Sequence, residues 1–202
     1  MNRFRSPARV GRVLLLSAVV ALGGCSAMQA QNPSSALQPV NAVKVDDARL
    51  MLFGHDVVAY FTEGRHALGS AEFQSVHEGV TFRFANARHK AMFDAEPMKY
   101  VPQYGGFCAD GIVYAIPWGG DPDTWMIRDG RLFIFGGAAS RDAFLLDVPG
   151  NIALADKYWA DEVQGSHSFW QRSKRLVWRV PHYKSGGELA ELVRQARAAK
   201  GS

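Results

Sequence analysis

The sequence predicts an α+β domain of small antiparallel hairpins packed with short helices, followed by a basic helical extension. Three observations carry this. Glu78-Gly79 and Asp129-Gly130 each sit between runs of β-branched and aromatic residues, the signature of a hairpin turn. The stretches with helical spacing fall between and after the hairpins instead of alternating with single strands, which excludes a doubly wound sheet. Apolar residues make up 48% and charged residues 21% of the 202 positions, a globular composition and not a disordered one.

The amino terminus reads as targeting sequence. Arg3, Arg5, Arg9 and Arg12 form a positive region, and Val13 to Leu22 is an apolar run too short to span a bilayer. Leu22-Gly23-Gly24-Cys25 resembles a bacterial lipobox, which predicts a signal peptide over 1–24 and lipidation (palmitate included) of Cys25. Ser26 after it favours the outer membrane, facing the periplasm. Residues 25–42, small and polar with two prolines, read as a tether. The four arginines account for the whole formal charge of +4, so the mature chain is near neutral and an envelope address argues against nucleic acid.

The domain is expected over 43–162. Asp56 to Phe61, between Gly54 and Gly64, reads as a buried strand. Ala71 to His77 and Val80 to Ala85 form the first hairpin, with Val80, Phe82 and Phe84 on one face. Ala87 to Ala95 is a helix that Pro97 ends. Thr124 to Phe135 is the second hairpin, preceded by the turn chemistry of Asp121-Pro122-Asp123. Ala138 to Leu146 and Asn151 to Val163 read as helices separated by Pro149-Gly150. Residues 163–202 carry eight Lys or Arg against two Glu, with Phe169-Trp170 and Leu176-Val177-Trp178 between the charges. Ser185 and Glu188 have capping-box spacing ahead of an apolar face at Leu189, Leu192, Val193 and Ala196.

The blocks DVVAYFTEG (56–64), GSAEF (69–73), TFRFANARHKAMFDAEPMKY (81–100), PQYGGFCA (102–109), GDPDTWMIRDGRLF (120–133) and DVPGNIALADKYW (147–159) resemble the YHS-domain family, in its secreted bacterial branch. That resemblance spans Gly54 to Trp159. It implies a metal-associated domain whose members pair a Tyr-His-Ser triplet with Cys-x-x-x-Cys at a strand–helix junction, where both thiolates face one ion. Here Phe73-Gln74-Ser75 stand in place of the triplet, and Ala85 and His89 in place of the two cysteines.

The candidate site residues follow. With Cys25 lipidated, Cys108 has no partner for an internal disulfide. In an oxidising compartment it is an inert core thiol, a ligand or a reactive group. Cys108 with His89 is the metal candidate, with copper or zinc as the cofactor suited to thiolate and imidazole. His89 alone on a short helix is more often a surface or half-buried histidine than a ligand. Asp56, Tyr60, Tyr104 and Trp125 are candidates to line a pocket, against the alternative that Asp56 caps a turn and the aromatics are core. Gly105 and Gly106 mark a tight turn beside Cys108. No nucleophile elbow, phosphate loop or Ser/His/Asp pattern is present, and a thiol enzyme would need an acidic Cys108 with a base beside it. The expected function is that of a lipid-anchored envelope protein binding a ligand around Cys108, a transition metal first. The alternative is a non-catalytic interaction module acting through 163–202. That tail would dock on its own acidic domain, on anionic lipid, or on an envelope protein.

Overall fold

The element that arranges the rest is the strand Arg131–Phe135, whose two faces serve two different cores. The computed structural model describes residues 42–45 and 48–201, and the architecture is α+β. Residues 1–41, on which the expected signal segment, Cys25 lipidation and tether fall, lie outside the described residues. Strands β1 (Ala42–Val45) and β2 (Ala48–Met51) pair antiparallel. A 3₁₀ turn (Leu52–Gly54) and the short helix α1 (Ala59–Thr62) follow. The first hairpin, β3 (Ser70–His77) and β4 (Val80–Phe84), turns through Glu78 and Gly79, both at positive φ. β4 also lies parallel to β2 through Leu50 and Thr81, giving the sheet order β1-β2-β4-β3.

Helices α2 (Ala87–Ala95) and α3 (Pro97–Tyr100) come next. A 3₁₀ turn over Gln103–Gly106 then leads into α4 (Ala109–Val113). The second hairpin, β5 (Asp121–Arg128) and β6 (Arg131–Phe135), turns through Asp129 and Gly130, again at positive φ. Helices α5 (Ala138–Phe144) and α6 (Val148–Tyr158) follow, and α6 runs on into a π-turn over Trp159–Val163. The chain ends in α7 (Ser168–Val177) and α8 (Gly186–Gly201).

In β6 successive side chains point to opposite faces. Leu132 and Ile134 enter one core with Val57, Phe82, Phe84 and Phe93, while Phe133 and Phe135 enter another with Phe107, Ile112 and Phe144. These four of the five β6 side chains are buried, so the strand is a wall between two apolar clusters. Burial on both faces explains why β6 has no polar position after Arg131.

Two local expectations are corrected. Asp56 to Phe61 is a capped helical turn, not a strand. The Asp56 carboxylate accepts from the Val58 and Ala59 amides at 2.8 and 3.3 Å, which starts α1 despite the β-branched valines. Pro149-Gly150 does not separate two helices but opens α6. Asp147 caps it, accepting from the Gly150 amide at 3.0 Å, and the proline occupies the first turn, where no amide donor is needed.

The extension docks on the domain. Val180 is buried in the second core, and Leu189 packs against it. His182 Nε2 donates to the Val113 carbonyl at 2.9 Å, and Arg197 reaches Asp142 at 2.5 Å. Ser185 and Glu188 form the capping box in full: the glutamate accepts from the Ser185 amide and the serine from the Glu188 amide.

Candidate functional site: the Cys108 cleft

The chain reaches Cys108 through a backbone that only certain residues tolerate. Tyr104, Gly105 and Gly106 all have positive φ, so the loop turns sharply before Phe107 buries itself. The Cys108 amide then donates to the Trp118 carbonyl at 2.9 Å, and Cys108 bridges Ile134 of β6. A Cβ on Gly111 would stand 2.6 Å from the Ile116 carbonyl oxygen, so only glycine fits there. Gly136 lies against the thiol in the same way: its missing Cβ would sit 3.5 Å from Cys108 Sγ and 3.2 Å from the Gly119 carbonyl.

Above the thiol opens a cleft of about 390 Å³ between the domain and the docked extension. Its walls are Tyr114, Ile116 and Trp118 from the domain and Leu176, Tyr183 and Leu189 from the extension. Its polar groups are Cys108, Asp110, Ser140 and Lys184. Burial pushes the Cys108 thiol up from its ordinary value, outweighing hydrogen bonds from Gly111, Ser140 and Gly136, so the sulfur stays protonated at neutral pH. Burial likewise raises the Asp110 carboxyl to about 7. Tyr114, desolvated and facing Asp110, is pushed up to about 12. Near neutrality the cleft therefore holds a thiol, a carboxyl that is about half protonated, a hydroxyl and a lysine side chain. The thiol, the lysine and the protonated fraction of Asp110 can donate to a ligand, while the Ser140 hydroxyl already donates to the Gly137 carbonyl at 2.8 Å. Arg172 lies over the Trp118 ring at 5.8 Å, and its buried Nε and Nη2 have no hydrogen-bond partner.

The other sequence candidates lie elsewhere. Asp56 is fully buried in the first core and accepts four hydrogen bonds. Oδ1 takes the Val58 and Ala59 amides, and Oδ2 takes the Ala85 amide at 2.8 Å and His89 Nδ1 at 2.7 Å. His89 Nε2 faces Thr62 Oγ1 at 3.2 Å and Glu63 Oε1 at 3.5 Å. The junction at Ala85 and His89 is closed by a carboxylate–imidazole clamp. Tyr60 donates to the Pro122 carbonyl at 2.9 Å and packs edge-on to Trp125 at 5.2 Å. Tyr104 belongs to the second core and donates to Asp156 at 2.8 Å; Arg131 grips the same carboxylate. Burial raises both tyrosines' pKa. The four pocket candidates thus do not converge on one site, and none lines the Cys108 cleft.

A copper or zinc centre does not fit these residues. His89 is engaged in the first core and Cys108 in the second, and among the described residues no group of three or more His, Cys, Asp or Glu is placed to hold an ion. Sequence reasoning missed Asp110, Ser140, Tyr183 and Lys184. Asp110 stands two residues after Cys108, and Ser185–Glu188 fixes where the 183–184 segment turns, but nothing in the one-dimensional pattern shows that the extension roofs the thiol. No family model, curated protein or solved structure matches the chain.

Proposed function

We propose that the protein is a lipid-anchored component of the bacterial envelope, probed through a YHS-like domain that binds a small organic ligand in the cleft over Cys108. The observation that carries this reading is the cleft itself. Its volume falls in the range of small-molecule sites, and its aromatic and aliphatic walls converge on a few polar groups. The Cys108 thiol, Lys184 and protonated Asp110 suit a ligand with an acceptor-rich head, such as a carbonyl, on an apolar body. Cys108 stays at the centre, as a thiol that shapes the floor and offers a weak donor instead of a metal ligand. The lipobox at Leu22 to Cys25 supports the address, and the six blocks between residues 56 and 159 support the family.

Thermal unfolding tests it. Protein taken from its native envelope melts higher than the same protein unfolded, stripped and refolded, and an organic extract of the envelope restores the difference. A ligand at about one hundred times its Kd adds about 2.7 kcal/mol, ample to read. Copper or zinc salts leave the melting temperature unchanged. Equal melting before and after stripping, or a rise with metal alone, would overturn the reading.

A further inference from the structure

Helix α7 is mounted inside out. Its buried residues are polar: Ser168, Gln171 and Arg172 are 1%, 5% and 7% exposed. Gln171 donates to the Ala115 carbonyl and, with Lys174 and Arg175, to Glu162. Its outer side is apolar: Trp170, Val177 and Trp178 are 68%, 69% and 68% exposed. Residues 170 and 177 fall along one helical stripe, and Trp178 follows directly at the end of the helix. A helix that spends its polar face on its own domain and turns tryptophans outward has left that second face for another surface.

We propose that this face seats in the interfacial zone of a phospholipid bilayer, a step that rests on the reading of Cys25 as lipidated. An exposed face carrying two tryptophans and a valine suits the headgroup boundary, where indole rings concentrate. Sixteen residues separate Cys25 from the first described strand, and at full extension they span at most about 55 Å. The face is therefore confined near the membrane at high effective concentration, so weak intrinsic affinity suffices. Much of the extension's positive charge is already matched within the protein, Lys174 and Arg175 by Glu162 and Arg197 by Asp142, so aromatic insertion and not charge drives the contact. Leu176 lines the Cys108 cleft from this same helix, so a seated α7 brings the cleft edge close to the bilayer.

The test reconstitutes the mature protein in phosphatidylethanolamine–phosphatidylglycerol vesicles with lipid brominated on the acyl chains, and reads tryptophan emission. Bromine is expected to quench the share owed to Trp170 and Trp178, two of the five tryptophans, and the double variant Trp170→Phe/Trp178→Phe is expected to lose that quenching. Equal quenching in wild type and double variant, or none in either, overturns the proposal. So does a photo-crosslinker at position 170 that captures an envelope protein while quenching is absent, since the face then belongs to that protein. Intact mass of the same sample reports lipid on Cys25 separately, and the quenching is read on vesicle-bound or vesicle-mixed protein either way.

Discussion

The two cores on either side of β6 handle polar groups in opposite ways. In the first, the Asp56 carboxylate and His89 are buried with every oxygen and ring nitrogen engaged, and the cluster is sealed by Phe82, Phe84 and Phe93. In the second, a buried thiol and a half-buried carboxyl border a cleft, both held toward their neutral forms. A saturated network of this kind fixes structure and leaves nothing to offer a ligand. Donors held neutral at the base of an aromatic cleft do have something to offer. The difference assigns stability to the first core and recognition to the second.

Removing the clamp should produce the largest effect. Asp56→Ala strands His89 and three amide donors in the apolar interior and is expected to cost about 3–5 kcal/mol, read as a lower urea midpoint. A loss below about 1 kcal/mol would erase the distinction between the cores.

Next comes the seam with the extension. Burial alone would raise the Glu162 carboxyl, but hydrogen bonds from Lys174, Arg175 and Gln171 outweigh it and hold its pKa below the usual value. A depressed carboxylate contributes stability above its unfolded pKa and loses it as pH falls through the folded one, so the seam weakens on acidification. Glu162→Ala is expected to cost about 1–3 kcal/mol and to speed hydrogen exchange in residues 166–178 while leaving β3 and β4 protected. Uniform acceleration in both cores would contradict a separable seam.

Smaller effects separate the chemistry from the packing. Cys108→Ser keeps the Gly111, Gly136 and Ser140 partners and is expected to cost about 1 kcal/mol. The wild-type thiol should alkylate slowly at neutral pH and rapidly once unfolded, because burial both shields it and keeps it protonated. Fast alkylation of the native protein would instead favour a thiol enzyme.

A separate test of the second core concerns pH. Asp110 keeps its proton in the folded state up to about 7, whereas the unfolded chain releases it near 4. The folded state binds more protons in that window, so stability falls as pH rises through it. Asp110→Asn should therefore gain stability relative to wild type at pH 8 and lose that advantage toward pH 4. Ligand affinity should also drop as pH rises through about 7, when Asp110 ceases to donate.

Much of the fold was legible because turn chemistry and periodicity are local. Glu78-Gly79 and Asp129-Gly130 placed both hairpins, α2 has the expected bounds, and Ser185 with Glu188 placed α8. Asp56 to Phe61 misled because β-branched residues suit a strand, while a cap from the preceding aspartate decides the helix. The site was half legible. Cys108 stood out as the unpaired thiol, and its cleft does lie there. Its roof was hidden, since sequence shows that α7 is two-faced but not which face turns inward. Here Glu162 and the Ala115 carbonyl claimed the polar side.

The central claim is that the second core holds an organic ligand, and native mass spectrometry of the protein purified from the cells that make it tests it most directly. The account predicts an added small-molecule mass on the wild type that disappears in Ser140→Trp, whose indole fills the cleft, with copper and zinc absent from both. A wild-type mass matching the bare mature chain, or an adduct that survives Ser140→Trp in a folded protein, would contradict it.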